Sequence, residues 1–207
     1  MFENIFEKEL NLMNSRWREL ATKGLNNAPA YFFIVPASST GKYHPTYALG
    51  EGGLIRHEKG AIHIGLDLLR CGVPFNFGDY PELKEIEEDI VSILIYTLMF
   101  HDVNKQGDNI EAVGYTHKQH PVFGSAYVYS NLLGEDINPI ALEMINFGIL
   151  NHMGKWTYKP NSETEFIGMQ KFESPKKNYL NRWCELIHLA DYIASRKYLE
   201  CNFDRID

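Results

Sequence analysis

The sequence predicts an all-α fold, a compact helical bundle with an N-terminal helix and a long loop-rich connection. Apolar residues recur at helical spacing over most of the chain after residue 53, and the alternating patterns typical of strands are sparse. Helix-start signals support this prediction, since Pro121 and the pair Asn138-Pro139 stand where new helical patterns begin. With 207 residues, the chain is long enough for one well-buried core.

The first 50 residues differ in character from the rest of the chain. Apolar positions at helical spacing predict an amphipathic helix over residues 2–23, ending at Gly24. Residues 25–53 contain a short apolar run, three prolines and several glycines, which predict an irregular connection. Its aromatic and glycine content favours a function. Two interpretations of this segment stay open: an ordinary structural loop, or a lid over a substrate site. We expect residues 1–50 to pack on a main domain formed by residues 51–207.

Five further helices are predicted downstream of this connection. The first covers residues 54–70. The second covers residues 82–100 and is apolar nearly all round after Ile90, which predicts a central position. The remaining three are predicted over residues 121–133, 138–150 and 178–201.

The composition limits the partners of this protein. A formal net charge of −7 argues against a general coat for duplex DNA, because such binding depends on Lys and Arg that neutralise phosphates. It leaves a nucleotide or a short single strand open as a partner, since a local metal cluster supplies positive charge that the surface lacks. A homo-oligomer is equally compatible with this composition.

The cysteine content and the absence of long apolar runs indicate a cellular compartment. Cys71, Cys184 and Cys201 form no CxxC pair, and an odd number of scattered thiols is typical of a reducing cytoplasm. The N-terminal residues are acidic and lack the apolar stretch of a signal peptide. No apolar run approaches the roughly 20 residues needed to span a bilayer, so we expect a soluble cytoplasmic protein without a membrane partner.

Several polar side chains lie on helix faces that are otherwise apolar. His57 shares the inward face of the first core helix, and Asp191 lies in the middle of the apolar stripe of the last one. His101 and Asp102 directly follow the central helix and precede a polar turn. A buried carboxylate is costly without a cationic partner, so a cation is expected beside Asp191.

Each of these observations has an ordinary structural explanation. A lone histidine on an apolar face is more often a satisfied core residue, and Arg182 or Arg196 could neutralise Asp191. The His-Asp pair could close a helix, because the helix dipole favours histidine at a C-terminus. Their coincidence in one small helical protein favours a shared site instead.

Two more histidines extend this site. His120 precedes Pro121 at the start of the third core helix, and His152 follows the apolar end of the fourth. Ligands at helix ends can project into a shared cavity without disrupting the core. Four imidazoles and two carboxylates suit divalent first-row metals such as Fe, Mn, Co, Ni or Zn. The set is large enough for two ions, with Asp102 as the natural bridge.

The order of these residues resembles that of the HD-domain superfamily of metal-dependent phosphohydrolases. The segments GGLIRH, FHDVNK, HPVFGSAYV, NHMGKW and HLADYIASR resemble its successive motifs over roughly residues 50 to 200. Bacterial HD-type 3′-to-5′ exoribonucleases share the character of GLIRH, HDVNK and NHMGKW, although the N-terminal 50 residues do not resemble their oligonucleotide-binding domain. The segments HPVFGSAYV and LADYIASR resemble those of the HD-type symmetrical diadenosine tetraphosphate hydrolases. Asn151 stands where some two-metal relatives carry the first histidine of a His-His pair.

The resemblance implies a metal site and a mechanism. The implied metal ligands are His57, His101, Asp102, His120, His152 and Asp191. Two ions about 3.5–4 Å apart clamp a phosphoryl group and generate a hydroxide that attacks phosphorus. Asp102 would be the bridging catalytic ligand, and Lys105 of HD-x-x-K would stabilise the developing charge. Lys42 and His44, in the loop before the first ligand, are with Lys105 the candidates for substrate contacts.

Three function classes are compatible with this site. The first is a phosphohydrolase that cleaves a phosphoester or phosphoanhydride of a nucleotide or short oligonucleotide. The second is a non-catalytic HD module that binds a nucleotide, and the third is a di-iron HD oxygenase. The full ligand set and Lys105 favour the phosphohydrolase, because a binding module has less reason to keep Asp102 beside His101.

Overall fold

The computed structural model describes residues 3–108, 113–159, 161–162, 164–174 and 177–197. Within these residues the fold is an all-α bundle, as predicted, and the β pairing is limited to an isolated bridge between Tyr158 and Phe166. The α-helices are α1 (Glu7–Asn11), α2 (Ser15–Asn27), α3 (Gly53–Cys71), α4 (Ile90–Phe100), α5 (His120–Leu132), α6 (Pro139–Asn151) and α7 (Asn178–Ala194). The predictions for α3, α5 and α6 are thus confirmed to within a residue or two.

The prediction of one continuous N-terminal helix was wrong. A 3-10 turn at Glu3–Phe6 leads into α1, and the chain breaks before α2, where the side chain of Asn14 accepts a hydrogen bond from the backbone N–H of Trp17 at 3.0 Å. Asparagine is strongly preferred at such caps and competes with the backbone inside a helix. α2 then continues through Gly24, which lies against the ring of Phe100, so this glycine serves close packing and not termination.

The predicted second core helix is also two elements. A 3-10 helix at Pro81–Asp89, with non-helical backbone angles at Ile86, precedes α4. All of α4 except Val91 is buried, which confirms its central position. α3 packs against α4 and α7, and α6 packs against α4, α5 and α7.

α7 ends earlier than predicted, at Ala194, while Tyr198 and Cys201 lie outside the described residues. Ser195 Oγ and Arg196 Nε both donate to the carbonyl of Tyr192, at 2.8 and 3.1 Å. These side-chain bonds satisfy a terminal carbonyl that a continuing helix would have used.

The N-terminal elements share the hydrophobic core with the rest of the chain. Phe6, Leu10 and Trp17 are buried in it, and the Trp17 ring packs edge-on against Tyr96 with centroids 5.5 Å apart. The division into residues 1–50 and 51–207 stays a prediction. Among the described residues, no helix is long and apolar enough to cross a membrane.

The connection between α2 and α3 is held against both α3 and α7. Arg56 of α3 donates to the carbonyls of Tyr47, Leu49 and Glu51, at 2.5, 2.9 and 2.9 Å. The hydroxyl of Tyr47 donates to the carbonyl of Ala194 at 2.9 Å, and the backbone N–H of Lys197 donates to that of Tyr43 at 2.7 Å. The loop therefore bridges the start of α3 and the end of α7.

We predict that Gly53→Ala destabilises the fold by about 1–3 kcal/mol, the range for overpacking a tight site. A Cβ at Gly53 would lie 2.3 Å from the carbonyl oxygen of Ala48 and 3.1 Å from Cα of Pro36, so backbone must move. Urea unfolding would measure the loss. Gly78→Ala is the control, because a Cβ there would approach only Asn76 Oδ1, at 3.7 Å. Equal losses in the two variants would contradict this account.

Candidate metal centre

The structure brings all six predicted ligands together at one end of the bundle. His57 lies near the start of α3, Asp191 lies in α7, and the other four follow α4, begin α5 or follow α6. Their ligand atoms form overlapping groups within 4.8 Å of one another: His57, His101 and Asp102; His101, His152 and Asp191; Asp102, His120 and His152. The four histidines and Asp102 are buried, while the side chain of Asp191 is 19% exposed.

The carboxylate of Asp102 lies between two pairs of imidazoles. Its Oδ1 is 2.9 Å from Nε2 of His120 and 3.4 Å from Nε2 of His152. Its Oδ2 is 3.7 Å from Nε2 of His101 and 4.0 Å from Nε2 of His57, and it also contacts the ammonium of Lys105. Each oxygen thus faces its own histidine pair, which is the arrangement that a bridging ligand requires.

Three of these histidines are oriented by the same local hydrogen bond. Nδ1 of His101, His120 and His152 lies 2.8, 2.7 and 2.7 Å from the carbonyl oxygen three residues earlier in the chain. A carbonyl only accepts, so Nδ1 must carry the proton in each ring. In the neutral imidazole, Nε2 is then left with its lone pair directed into the cluster, as metal-binding histidines require.

The separation between His120 and His152 is a direct test of whether this set fits a metal. Their Nε2 atoms are 3.1 Å apart, although both carry lone pairs when the rings are neutral. Two nitrogens that bind one ion at about 2.0–2.1 Å lie roughly 3 Å apart, so the observed distance matches a shared cation. Burial lowers the pKa of His57 and of His120, which keeps both rings neutral and available as ligands.

Among the described residues, the carboxylate of Asp191 contacts two histidines. Its Oδ1 is 3.0 Å from Nε2 of His57 and 3.6 Å from Nε2 of His101. Burial alone would raise the pKa of Asp191, but these two histidines hold it well below its usual range. Arg182, one of the two arginines that the sequence offered as partners for Asp191, pairs instead with Glu185 on the surface.

Glu58 is a component of the site that sequence reasoning missed. It is fully buried beside His57 in α3, and its Oε2 lies 2.7 Å from Nδ1 of His101. Neither carboxylate oxygen has a partner with hydrogen-bond geometry among the residues that the structure describes. A carboxylate behind a metal-binding histidine raises the basicity of the ring, so Glu58 is placed to strengthen His101 as a ligand.

Glu58 and His101 titrate as a pair. Burial lowers the pKa of His101, but Glu58 and Asp102 outweigh it and hold the pKa well above the ordinary 6.5. Burial raises the pKa of Glu58 to about 8, against the opposing effect of His101. The pair therefore holds an extra proton at neutral pH, which a cation binding at Nε2 would displace.

Lys105 keeps its charge although it is buried. Burial lowers its pKa, but the contact with Asp102 more than compensates and raises the pKa above the ordinary 10.5. Lys105 in turn holds the pKa of Asp102 well below its usual range, although burial opposes this, with help from His101 and His120. The ammonium stands at the edge of the cluster, where it also lines a cavity.

A cavity of about 200 Å³ opens onto the cluster. Ala37, Ser38 and His44 of the connecting loop form part of its wall, so the loop covers one side of the site. Lys42 is exposed, does not line the cavity and has its amine over the ring of Tyr43, at 5.0 Å. Of the predicted substrate contacts, the structure therefore brings Lys105 and His44 to the cavity and leaves Lys42 outside.

The remaining histidines and Asn151 have other partners. His63 lies 3.4 Å from Glu9, and His188 Nδ1 bonds the backbone carbonyl of His152 at 2.6 Å. Asn151 accepts from the N–H of Gln170 at 2.7 Å and donates to a carbonyl in α6 at 3.0 Å. Asn151 thus ties two backbone segments together, and His152 alone of this pair faces the cluster.

No protein-family model matches this chain, and neither a curated protein nor a solved structure is similar to it at a significant level. The description of this chain therefore rests on its fold and its site alone. The chain forms an all-α bundle with a buried His/Asp cluster that could hold a metal ion.

We predict that Mn²⁺ binding releases a proton at neutral pH and that Glu58→Gln both reduces this release and weakens binding about 10–100-fold. The pKa values of Glu58 and His101 are both raised, so the extra proton is present at neutral pH and is lost as pH rises through those values. Calorimetric titration in two buffers of different ionisation enthalpy would measure the release.

The matched control for this prediction is Glu135→Gln. Glu135 forms exposed ion pairs with Arg16 and Lys23, away from the cluster. The Glu135→Gln substitution should leave both the affinity for Mn²⁺ and the proton release unchanged. Unaltered proton release in Glu58→Gln would show that the pair does not hold the displaced proton.

Proposed function

We propose that this chain is a metal-dependent phosphohydrolase of the HD type. The observation that carries the proposal is the position of Asp102, whose two carboxylate oxygens face different histidine pairs while Lys105 stands beside them at a cavity. A cation-binding cluster and a fixed ammonium at one cavity suit a substrate with several negative oxygens. A phosphate group is such a substrate.

In this proposal the ligands act as two sets that share Asp102. The first set is His57, His101, Asp102 and Asp191, and the second is Asp102, His120 and His152, although the ligand atoms of His101, His152 and Asp191 also lie within 4.8 Å of one another. Divalent transition metals bound there would polarise a phosphoryl oxygen and supply a hydroxide at neutral pH. The mixed nitrogen and oxygen donors favour Fe, Mn, Co, Ni or Zn.

The residues of the chain have separate tasks in this proposal. The backbone carbonyls behind His101, His120 and His152 fix the imidazole orientations before any substrate arrives. Lys105 binds a non-bridging phosphate oxygen and stabilises the charge that develops on it, an effect that is stronger in a buried site than in water. Asp102 holds that ammonium in place.

We propose that the substrate is a phosphoester or phosphoanhydride of a nucleotide or of a short oligonucleotide. The net charge of −7 supports a small or single-stranded ligand, because a chain this acidic is poorly suited to cover duplex DNA. The unpaired Cys71 and Cys184 support a cytoplasmic location, where thiols stay reduced.

We predict that Asp102→Ala abolishes both metal retention and phosphate release. The substitution removes the shared ligand and leaves the histidines and Lys105 without their central anion. Metal content measured by mass spectrometry and turnover on a panel of mononucleotides, cyclic nucleotides, dinucleoside polyphosphates and RNA ends would test it. Asp67→Ala, on the exposed face of α3, is the control and should behave as the unmodified protein.

The same experiments distinguish the other function classes. Retention of metal and nucleotide without turnover would indicate a binding module. Oxygen uptake without phosphate release, in a comparison of aerobic and anaerobic assays, would indicate a di-iron oxygenase. An Asp102→Ala protein with its full metal complement and full turnover would overturn the proposal.

Lys105→Met should lower kcat by about 10²–10³-fold, the usual cost of removing one group that stabilises transition-state charge. Metal content should remain, because Lys105 is not a ligand and its ammonium competes for Oδ2 of Asp102. Parallel measurement of metal content and kcat separates this effect from a loss of the site. Unchanged turnover in Lys105→Met would remove Lys105 from the mechanism.

A further inference from the structure

One wall of the cavity is aromatic and takes no part in the metal cluster. Trp156, at the end of a 3-10 helix (Gly154–Trp156), stacks on Tyr192 of α7, with ring centroids 6.0 Å apart and planes 11° from parallel. His188 stands at the edge of both rings, at 6.3 and 5.8 Å. All three side chains line the same cavity as Asp102 and Lys105.

Trp156 is unlike the other tryptophans of the chain. Trp17 and Trp183 are 3% and 0% exposed and belong to the hydrophobic core, whereas Trp156 is 37% exposed. Exposed rings at the wall of a cavity offer an aromatic surface to a planar ligand, and base stacking on aromatic side chains is sequence-tolerant and strong. Trp156 therefore presents part of an aromatic surface to the cavity.

A guanidinium lies on the same wall. Arg196 is 4.0 Å from the centroid of the Tyr192 ring and 5.6 Å from that of Tyr43. Its hydrogen bonds go to the carbonyl of Tyr192 and to Ser195, and no ion pair joins it to a carboxylate within the described part of the chain. Lys155 lies over the Trp156 ring at 4.6 Å. In a chain of net charge −7, these cations beside π faces mark a surface for an anionic aromatic ligand.

The size of the cavity restricts that ligand. Its volume of about 200 Å³ is below the roughly 300–1,000 Å³ typical of pockets that enclose drug-sized molecules. A cavity of this size admits part of one nucleotide and excludes a duplex. Because the aromatic wall and Lys105 line the same cavity, a base and its own phosphate are the two groups that we expect it to hold.

We propose that the wall formed by Trp156, Tyr192 and Arg196 is the base-binding half of a site for one nucleoside monophosphate unit. The base packs against the exposed surface of the Trp156–Tyr192 pair, Arg196 attracts the anion, and the phosphate extends toward the ammonium of Lys105. This assignment deepens the proposed phosphohydrolase function and rests on it for the phosphate end. It makes nucleotides the substrate class and excludes sugar phosphates that lack a base.

Fluorescence of the full chain, treated with a chelator so that no turnover occurs, tests the base contact directly. Adenosine 5′- and 3′-monophosphate should quench the exposed Trp156, while Trp17 and Trp183 are too buried to respond. Ribose 5-phosphate, which has no base, should cause little quenching. Trp156→Ala should bind the nucleotide roughly 5- to 100-fold more weakly in equilibrium dialysis, the range for loss of one stacking contact.

Two further variants keep the test decisive. Trp156→Phe preserves a π face, so it should lose the quenching and keep most of the affinity. Tyr129→Ala removes an exposed ring of α5 that does not line the cavity, and it should change neither quantity. Ribose 5-phosphate that binds as tightly as the nucleotides, or unchanged affinity in Trp156→Ala, would overturn the proposal.

Hydrolysis assays of the metal-loaded protein separate this inference from the proposed function. Turnover of nucleotides and ribose 5-phosphate at similar kcat/KM, unaffected by Trp156→Ala, would support the phosphohydrolase and overturn the base site. Nucleotide binding that depends on Trp156, with no turnover of any phosphate ester, would support the base site and overturn the phosphohydrolase.

Discussion

The buried carboxylate of Asp102 is the constraint on which the rest of this structure depends. A charge that is only 1% exposed must be surrounded by cations or hydrogen-bond donors, since its burial is otherwise prohibitive. Lys105 meets Oδ2, while Oδ1 faces the Nε2 lone pairs of His120 and His152 and has no hydrogen-bond donor among the described residues. A cation between these atoms would complete the environment of the carboxylate. The residues that follow α4, begin α5 and follow α6 meet at this point, so the packing of these helices and the environment of the buried charge depend on each other.

The sequence predicts this centre because polar residues stand out against apolar helix faces. His57 and Asp191 interrupt apolar stripes, and the structure places both at the cluster. Glu58 also lies on a buried face, four residues after Leu54 and three before Ala61, yet a glutamate between a histidine and a lysine looks like a solvated residue when only the sequence is considered. Its spacing was the signal that could have identified it.

The rest of the site could not be predicted because it depends on packing between distant segments. Trp156 and Tyr192 are separated by a long stretch of chain and meet because α7 contacts the segment that follows α6, where His188 bonds the carbonyl of His152. The break before α2 depends similarly on Asn14, whose side chain contacts Asp89 at 2.6 Å and whose backbone N–H bonds Ser92 at 3.1 Å. Periodicity within one helix carries no information about either contact.

The hydrogen bonds from Nδ1 to the carbonyl three residues earlier have a consequence for how such a centre arises. His101, His120 and His152 each obtain their ring orientation from a segment of four residues. This orientation uses only the local backbone, and the structure has it both at the start of a helix (His120) and after helix ends (His101 and His152). New metal centres could therefore be grafted onto an unrelated bundle by placing such ends around one carboxylate, without redesigning the surrounding core.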